Sequence, residues 1–160
     1  MIGTSPNKNI ERQIIALQGL KCHLTIIGKL TNEQIELLEE NEITYSNKIN
    51  LSDSEVYDEY YKADLVMFCS LFEGFGMPIV EANKAGTPVL CSDIPVMHEV
   101  GKEAAYFVNP FDISSIRQGV LDIMENYELR QDLIVRGIRN SERYEVEKIF
   151  PLWEKVYEGL

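Results

Sequence analysis

Short, almost wholly apolar runs separated by stretches of helical periodicity constrain this chain more than any other feature. Leu24-Thr25-Ile26-Ile27-Gly28 reads as a strand with a glycine stop. Asp64-Leu65-Val66-Met67-Phe68-Cys69, Pro88-Val89-Leu90-Cys91 and Ala105-Tyr106-Phe107-Val108 follow it. Strands apolar at successive positions are buried on both faces, which is the pattern of a parallel sheet covered by helices. Ile43-Thr44-Tyr45 is a weaker strand, and Met1-Ile2-Gly3 reads as the end of a further one. Between them, Ile10, Ile14, Leu17 and Leu20 mark one helix face, and Thr31 with Gln34 forms a capping box ahead of Ile35. Ser52 caps a helix over 53–63, with Glu55 at the reciprocal position. Further helix faces carry Ile113, Ile116, Val120 and Met124, then Leu129, Leu133 and Ile138, then Ile149, Trp153, Val156 and Leu160. Such alternation predicts an α/β fold, a Rossmann-like doubly wound parallel sheet, with the strand order left open.

Composition narrows the partners. Fifteen Lys and Arg against 26 Asp and Glu give a net charge of −11, which excludes broad phosphate-backbone binding and so predicts no nucleic-acid partner. One small anionic ligand held by a few local donors stays compatible with that balance. No apolar run approaches the roughly 20 residues of a membrane span, and no secretory signal opens the sequence. Cys22, Cys69 and Cys91 are odd in number and lie in apolar runs, so buried reduced thiols in a cytosolic protein are expected. The 160 residues suit one domain without repeats or linkers. A helix follows Ile2-Gly3 almost at once, which reads as a domain cut out of a longer protein.

The stretch from Ser70 to Asn83, S-L-F-E-G-F-G-M-P-I-V-E-A-N, carries the chemistry. It leaves a buried strand and enters a helix whose first turn accommodates Pro78. Gly74 and Gly76 free the backbone for unusual dihedrals and for close approach of a ligand. Unpaired N–H groups and the positive end of the helix dipole make such a helix start an anion site. Its place at the carboxyl end of a strand is where open α/β sheets bind ligands, and a nucleotide pyrophosphate is the natural guest. Glu73 and Glu81 flank it. Carboxylates repel phosphates but accept charge-assisted hydrogen bonds from hydroxyls, of a sugar on one side and a ribose on the other. Helix-dipole complementation for Glu81 and an exposed loop acid for Glu73 explain the pattern equally well.

Glu-x7-Glu in this setting, followed by A-G-T-P-V and S-D-I-P and preceded by Tyr60-Tyr61-Lys62-Ala63-Asp64, resembles the C-terminal domain of the GT4-type retaining glycosyltransferases of GT-B fold. The likeness continues through Asn109-Pro110-Phe111-Asp112 and covers nearly the whole chain. It implies that residues 1–145 form the Rossmann-like nucleotide-sugar-binding half of a GT-B fold. The helix over 146–160 then crosses to a missing N-terminal acceptor domain. It implies that Glu73 meets the donor sugar hydroxyls, that the amides near Gly74, Phe75 and Gly76 hold sugar or phosphate, and that Glu81 binds ribose. Lys8 matches the lysine that neutralises the diphosphate leaving group, so Glu73 and Lys8 are the expected catalytic pair. Thr4 or Ser5 stands where the family often has an arginine.

The base pocket is expected around Asn47, Lys48, Ile49 and Asn50, with UDP, GDP and ADP all open. No metal and no other cofactor is expected. The implied activity is transfer of a hexose to a sugar or lipid-linked acceptor by the full-length protein, the isolated domain being inert. The alternative is a non-catalytic nucleotide-binding or scaffolding module of the same fold, supported by Thr4 in place of a basic residue. The expected location is cytoplasmic, with peripheral attachment of the full-length protein to the inner face of the cell membrane left open. Some self-association through the Ile149, Trp153, Val156 face is expected. His23 and His98 read as structural, Asp53-Ser54-Glu55 as helix capping, and Trp153 as a packing residue.

Overall fold

The computed structural model describes residues 1–158, with the side chain of Glu158 outside the description. Its strands are β1 (His23–Ile27), β2 (Thr44–Lys48), β3 (Val66–Phe68), β4 (Val89–Ser92) and β5 (Tyr106–Val108). The helices are α1 (Ile10–Ala16), α2 (Asn32–Glu40), α3 (Asp53–Lys62), α4 (Met77–Ala85), α5 (Pro95–Gly101), α6 (Ile113–Glu125), α7 (Tyr127–Ser141) and α8 (Val146–Glu158). Every ladder is parallel: β1 pairs with β2, and β3, β4 and β5 pair in that order. Ile2 bridges to Ile27 in parallel, so Met1-Ile2-Gly3 does run as the end of a strand beside β1. A cavity of about 380 Å³, lined by Ile2, Leu24, Thr25, Val66 and Met67 among others, lies between β1 and β3.

Both sheet faces are buried, as the apolar runs require. Met67 and Leu90 pack into one core with Ile10, Ile14, Ile26, Leu38, Ile116 and Ile123. Their neighbours Val66, Phe68, Val89 and Cys91 face the opposite side, with Tyr60, Ile79, Met97 and Val100. Each fully buried side chain of this kind contributes about 1.5–3 kcal/mol. Local signals fix the helix ends. Thr31 and Ser52 form the expected capping boxes with Gln34 and Glu55. Asp112 and Asn126 cap α6 and α7 through their side chains.

Some boundaries move for physical reasons. The strand expected over 64–69 shrinks to Val66–Phe68, because the Cys69 amide leaves the ladder for the Gln13 side chain at 3.4 Å. The weak strand at Ile43 becomes the five-residue β2, whose sequence Thr-Tyr-Ser-Asn-Lys is polar because it forms a sheet edge. Trp153 is not a packing residue: it is 57% exposed and stacks on Tyr157, while Val146, Phe150 and Val156 are exposed with it. Leu160 lies outside the described residues. No described helix is long and apolar enough to cross a membrane.

The thiols also need a correction, since Cys22 is exposed and only Cys69 and Cys91 are buried. Burial pushes the Cys69 thiol up to about 12 and raises that of Cys91 well above its ordinary range. Only thiolates react with alkylating agents. Native protein treated with iodoacetamide at pH 8 is therefore expected to carry one adduct, on Cys22, and three after unfolding, as read by intact and peptide mass spectrometry. Adducts on Cys69 in the native protein would contradict the packing of β3.

Candidate functional site

Three loops meet at the carboxyl edge of the strands: 3–9, 69–76 and 109–112. Leu71 donates its amide to the Asn7 carbonyl at 2.8 Å, and Asn7 Nδ2 returns a bond to the Phe72 carbonyl at 3.3 Å. Asn9 is 1% exposed, and its Nδ2 donates to the carbonyls of Cys69 at 3.0 Å and Pro110 at 2.8 Å. Its backbone sits in the left-handed region at φ 55°, which turns the chain from the short 3-10 turn Pro6–Lys8 into α1. Gln13 donates to the Lys8 carbonyl at 2.8 Å from one face of α1. One asparagine therefore clamps all three loops, and one glutamine holds the lysine's backbone.

This clamp puts Lys8 against Glu73, 65 residues away, with Nζ 2.6 Å from Oε1. The side chains are only 20% and 14% exposed, so Lys8 is not a solvated surface lysine. Its ammonium also lies 5.0 Å from the centre of the Phe68 ring. An ammonium has three donors, and the Glu73 bond uses one of them. Such a pair holds a cation in place without discharging its remaining hydrogen-bonding capacity.

Just beyond Glu73, α4 begins at Gly76, which has φ 107° and no side-chain cap. Pro78 stands in the first turn. Pro78 has no N–H and Ile79 donates its amide to the Gly76 carbonyl at 2.9 Å, so the donors left to an anion are the amides of the 74–76 turn and of Met77. A Cβ built on Gly74 would meet no heavy atom within 4 Å, so the loop there opens onto space rather than onto protein. A Cβ on Gly76 would be strained by its φ. The two glycines thus serve different ends, and two variants separate them. Gly76→Ala is expected to cost about 1–3 kcal/mol of stability, whereas Gly74→Leu leaves the denaturation midpoint unchanged and blocks access to the helix start. Equal loss of stability in both, followed by urea denaturation, would contradict this division.

Phe75 turns its ring edge-on to Tyr144, 5.7 Å between centroids. Glu81 lies one turn into α4, half-buried, where its Oε2 accepts the Tyr60 hydroxyl at 2.9 Å. Burial of Tyr60, with Glu81 beside it, raises the phenol far above its ordinary range, so it stays a donor. Lys8, Glu73, Gly74, Phe75, Gly76 and Glu81 are thus spread over one loop pair and the helix that leaves it.

The expected base loop is less open than its sequence suggests. Asn47 Nδ2 is engaged by the carbonyls of Ile26 at 3.1 Å and Gly28 at 2.6 Å, and Lys48 pairs with Glu59 at 2.8 Å. Ile49 is 54% exposed, and Asn50 holds a left-handed φ of 56°. Thr4 donates to the Lys29 carbonyl at 2.7 Å and Ser5 to Asn7 Oδ1 at 2.7 Å, so both hold the loop's shape. His98 pairs with Asp93 at 2.6 Å and stacks on Phe107, and His23 meets Ser46 at 2.8 Å.

Asn9 and Gln13 are the residues that sequence reasoning passed over, and Tyr60 entered it only within the Tyr60–Asp64 stretch, with no contact assigned. Gln13 interrupts the apolar stripe of α1 three residues after Ile10, and a polar residue on such a stripe signals a buried hydrogen-bonding duty. Asn9 adjoins the same stripe but carries no comparable mark.

This chain shares sequence and fold with known proteins. The profile of the family described as "Glycosyl transferases group 1" matches residues 4–140. The O-antigen chain mannosyltransferase RfbU of Salmonella typhimurium is 32% identical over 115 residues, 72% of this chain and 31% of that protein. The serotype-specific mannosyltransferase WbdA of Escherichia coli is 30% identical over 140 residues, 80% of this chain and 17% of that protein. The chain thus spans about a third or less of the length of these curated relatives. Among solved structures, Anabaena HepE, described in complex with UDP and glucose, superposes with a TM-score of 0.82 at 18% identity. That match covers 98% of this chain and 46% of HepE, and establishes a shared fold.

Proposed function

This chain belongs to the glycosyl transferases group 1 family, and we propose from that premise that it is the donor-binding half of a retaining hexosyltransferase. The observation that carries the reading is the Lys8–Glu73 pair, 2.6 Å long and shielded, set beside the uncapped start of α4. The diphosphate of a nucleotide sugar lies on the amides from Gly74 to Met77 and on the free donors of Lys8. Glu73 accepts hydrogen bonds from the sugar hydroxyls, and Glu81 from the ribose. As the bond from the anomeric carbon to the phosphate oxygen breaks, the acceptor hydroxyl forms its new bond on the same face. Its proton passes to the departing phosphate. Lys8 stabilises the charge growing on that phosphate, and preorganised charge of this kind is a main source of rate. No side chain need become a covalent nucleophile, and no metal is assigned to the step.

Mannosyl transfer is the best-supported chemistry, since RfbU and WbdA are both named mannosyltransferases. The acceptor is a sugar or lipid-linked glycan bound by the rest of the protein, in the cytoplasm. Residues 1–145 form the donor domain, and the exposed apolar face of α8 crosses to the acceptor half. The isolated chain accordingly binds donor without turnover. Calorimetric titration with UDP, GDP and ADP, then with the matching nucleotide sugars, tests the reading. Saturable binding of one diphosphate is expected. Heat-silent titrations with all three would overturn it in favour of a scaffolding module.

A further inference from the structure

We propose that Tyr60 is a positioning residue that sets the Glu81 carboxylate for a ribose, and so makes the site select ribonucleotides over 2′-deoxyribonucleotides. The inference rests on the proposed ribose contact of Glu81 and goes beyond it by assigning the source of its geometry.

Tyr60 lies in the last turn of α3, and its ring fills the core between α3, α4 and the sheet. It is 5% exposed, so its hydroxyl needs a partner within the protein. That partner is Glu81 Oε2, at 2.9 Å. The backbone around Tyr60 is equally fixed: its carbonyl accepts from Thr87 Oγ1 at 2.7 Å and from the Ala63 amide at 3.1 Å. The hydroxyl is thus a rigid donor, held from below by packing and from behind by two backbone bonds.

A glutamate on a helix surface otherwise samples several rotamers, and ordering such a side chain on binding costs conformational entropy. The Tyr60 bond orders Glu81 before any ligand arrives. It occupies one lone pair of Oε2 and leaves Oε1 without a hydrogen bond to another described residue. Two vicinal hydroxyls of a ribose match such a carboxylate as paired donors. A 2′-deoxyribose offers only one. Preordering therefore rewards the ribonucleotide more, because the deoxy compound cannot use the second acceptor that the rotamer presents.

Tyr60→Phe removes the hydroxyl and keeps the ring, so the core packing survives. UDP, GDP and ADP and their 2′-deoxy counterparts are titrated against the 160-residue chain, Tyr60→Phe and Glu81→Ala. The preferred ribonucleotide is expected to bind the starting protein at least tenfold more tightly than its deoxy form. Tyr60→Phe reduces that ratio roughly threefold to tenfold by weakening the ribonucleotide more than its deoxy form, and Glu81→Ala abolishes the ratio. Equal weakening of both nucleotides by Tyr60→Phe would mark a merely structural role and overturn the positioning. An undiminished ratio in Tyr60→Phe, with the ratio lost in Glu81→Ala, would overturn it while sparing the Glu81 contact. No ribose preference in the starting protein, despite tight diphosphate binding, would overturn that contact and this inference together.

Discussion

Replacing Asn9 with alanine is expected to lower stability by about 3–5 kcal/mol, the largest effect of any single substitution near the site. Three hydrogen bonds vanish: the one Arg12 donates to Oδ1 at 2.9 Å, and those from Nδ2 to the Cys69 and Pro110 carbonyls. Each of the last two leaves a buried acceptor unpaired, at about 1–3 kcal/mol. The backbone adds to this, because alanine must then hold φ 55°, where asparagine is tolerated and most residues are not. For a chain of this size the sum corresponds to a melting temperature lower by roughly 10 °C or more. Asn9→Gly isolates the terms. It relieves the backbone but not the lost bonds, so it should recover only about 1 kcal/mol of the deficit. Calorimetric melting of the three proteins decides. A shift of under two degrees for Asn9→Ala would mean that the loops are held together by something else.

The second large effect falls on ligand affinity. Lys8→Ala removes the cation assigned to the diphosphate and leaves Glu73 as an unpaired negative charge beside the anion site. Losing charge-assisted bonds of about 1.5–3 kcal/mol predicts a fall of ten- to more than a hundredfold in diphosphate affinity. Glu73→Gln acts in the opposite sense on the bare diphosphate, since it removes a repelling charge. Diphosphate binding by Glu73→Gln is expected to hold or tighten, while the advantage of the nucleotide sugar over the diphosphate is lost. The double variant should sit well above the product of the two single effects, because adjacent charges couple. Titration of all four proteins at one salt concentration reads this cycle. Unchanged affinity in Lys8→Ala would remove the lysine from the site.

Much of this was legible in the residues because the signals were local. Capping boxes at Thr31 and Ser52 are complete within four residues, and both formed as expected. The doubly apolar strands around Met67 and Leu90 announce burial on both faces, and the parallel ladders follow from it. The polar strand β2 was faint because an edge strand need not be apolar. Cys22 looked buried from its apolar neighbours, but its side chain is exposed just ahead of β1. The site's long-range geometry was the least accessible. No spacing rule reports that Asn9 reaches both Cys69 and Pro110, or that Tyr60 finds Glu81 from another helix. Those contacts depend on how the loops and helices come together in space.

The central claim is that a nucleoside diphosphate docks between Lys8 and the start of α4. Amide chemical-shift mapping of the ¹⁵N-labelled chain, with and without saturating diphosphate, tests it most directly. The account predicts that the largest shifts fall on Gly74, Phe75, Gly76 and Met77, on the Lys8–Asn9 segment and around Glu81. Shifts confined to α8 or to the far, amino-terminal edge of the strands would contradict it.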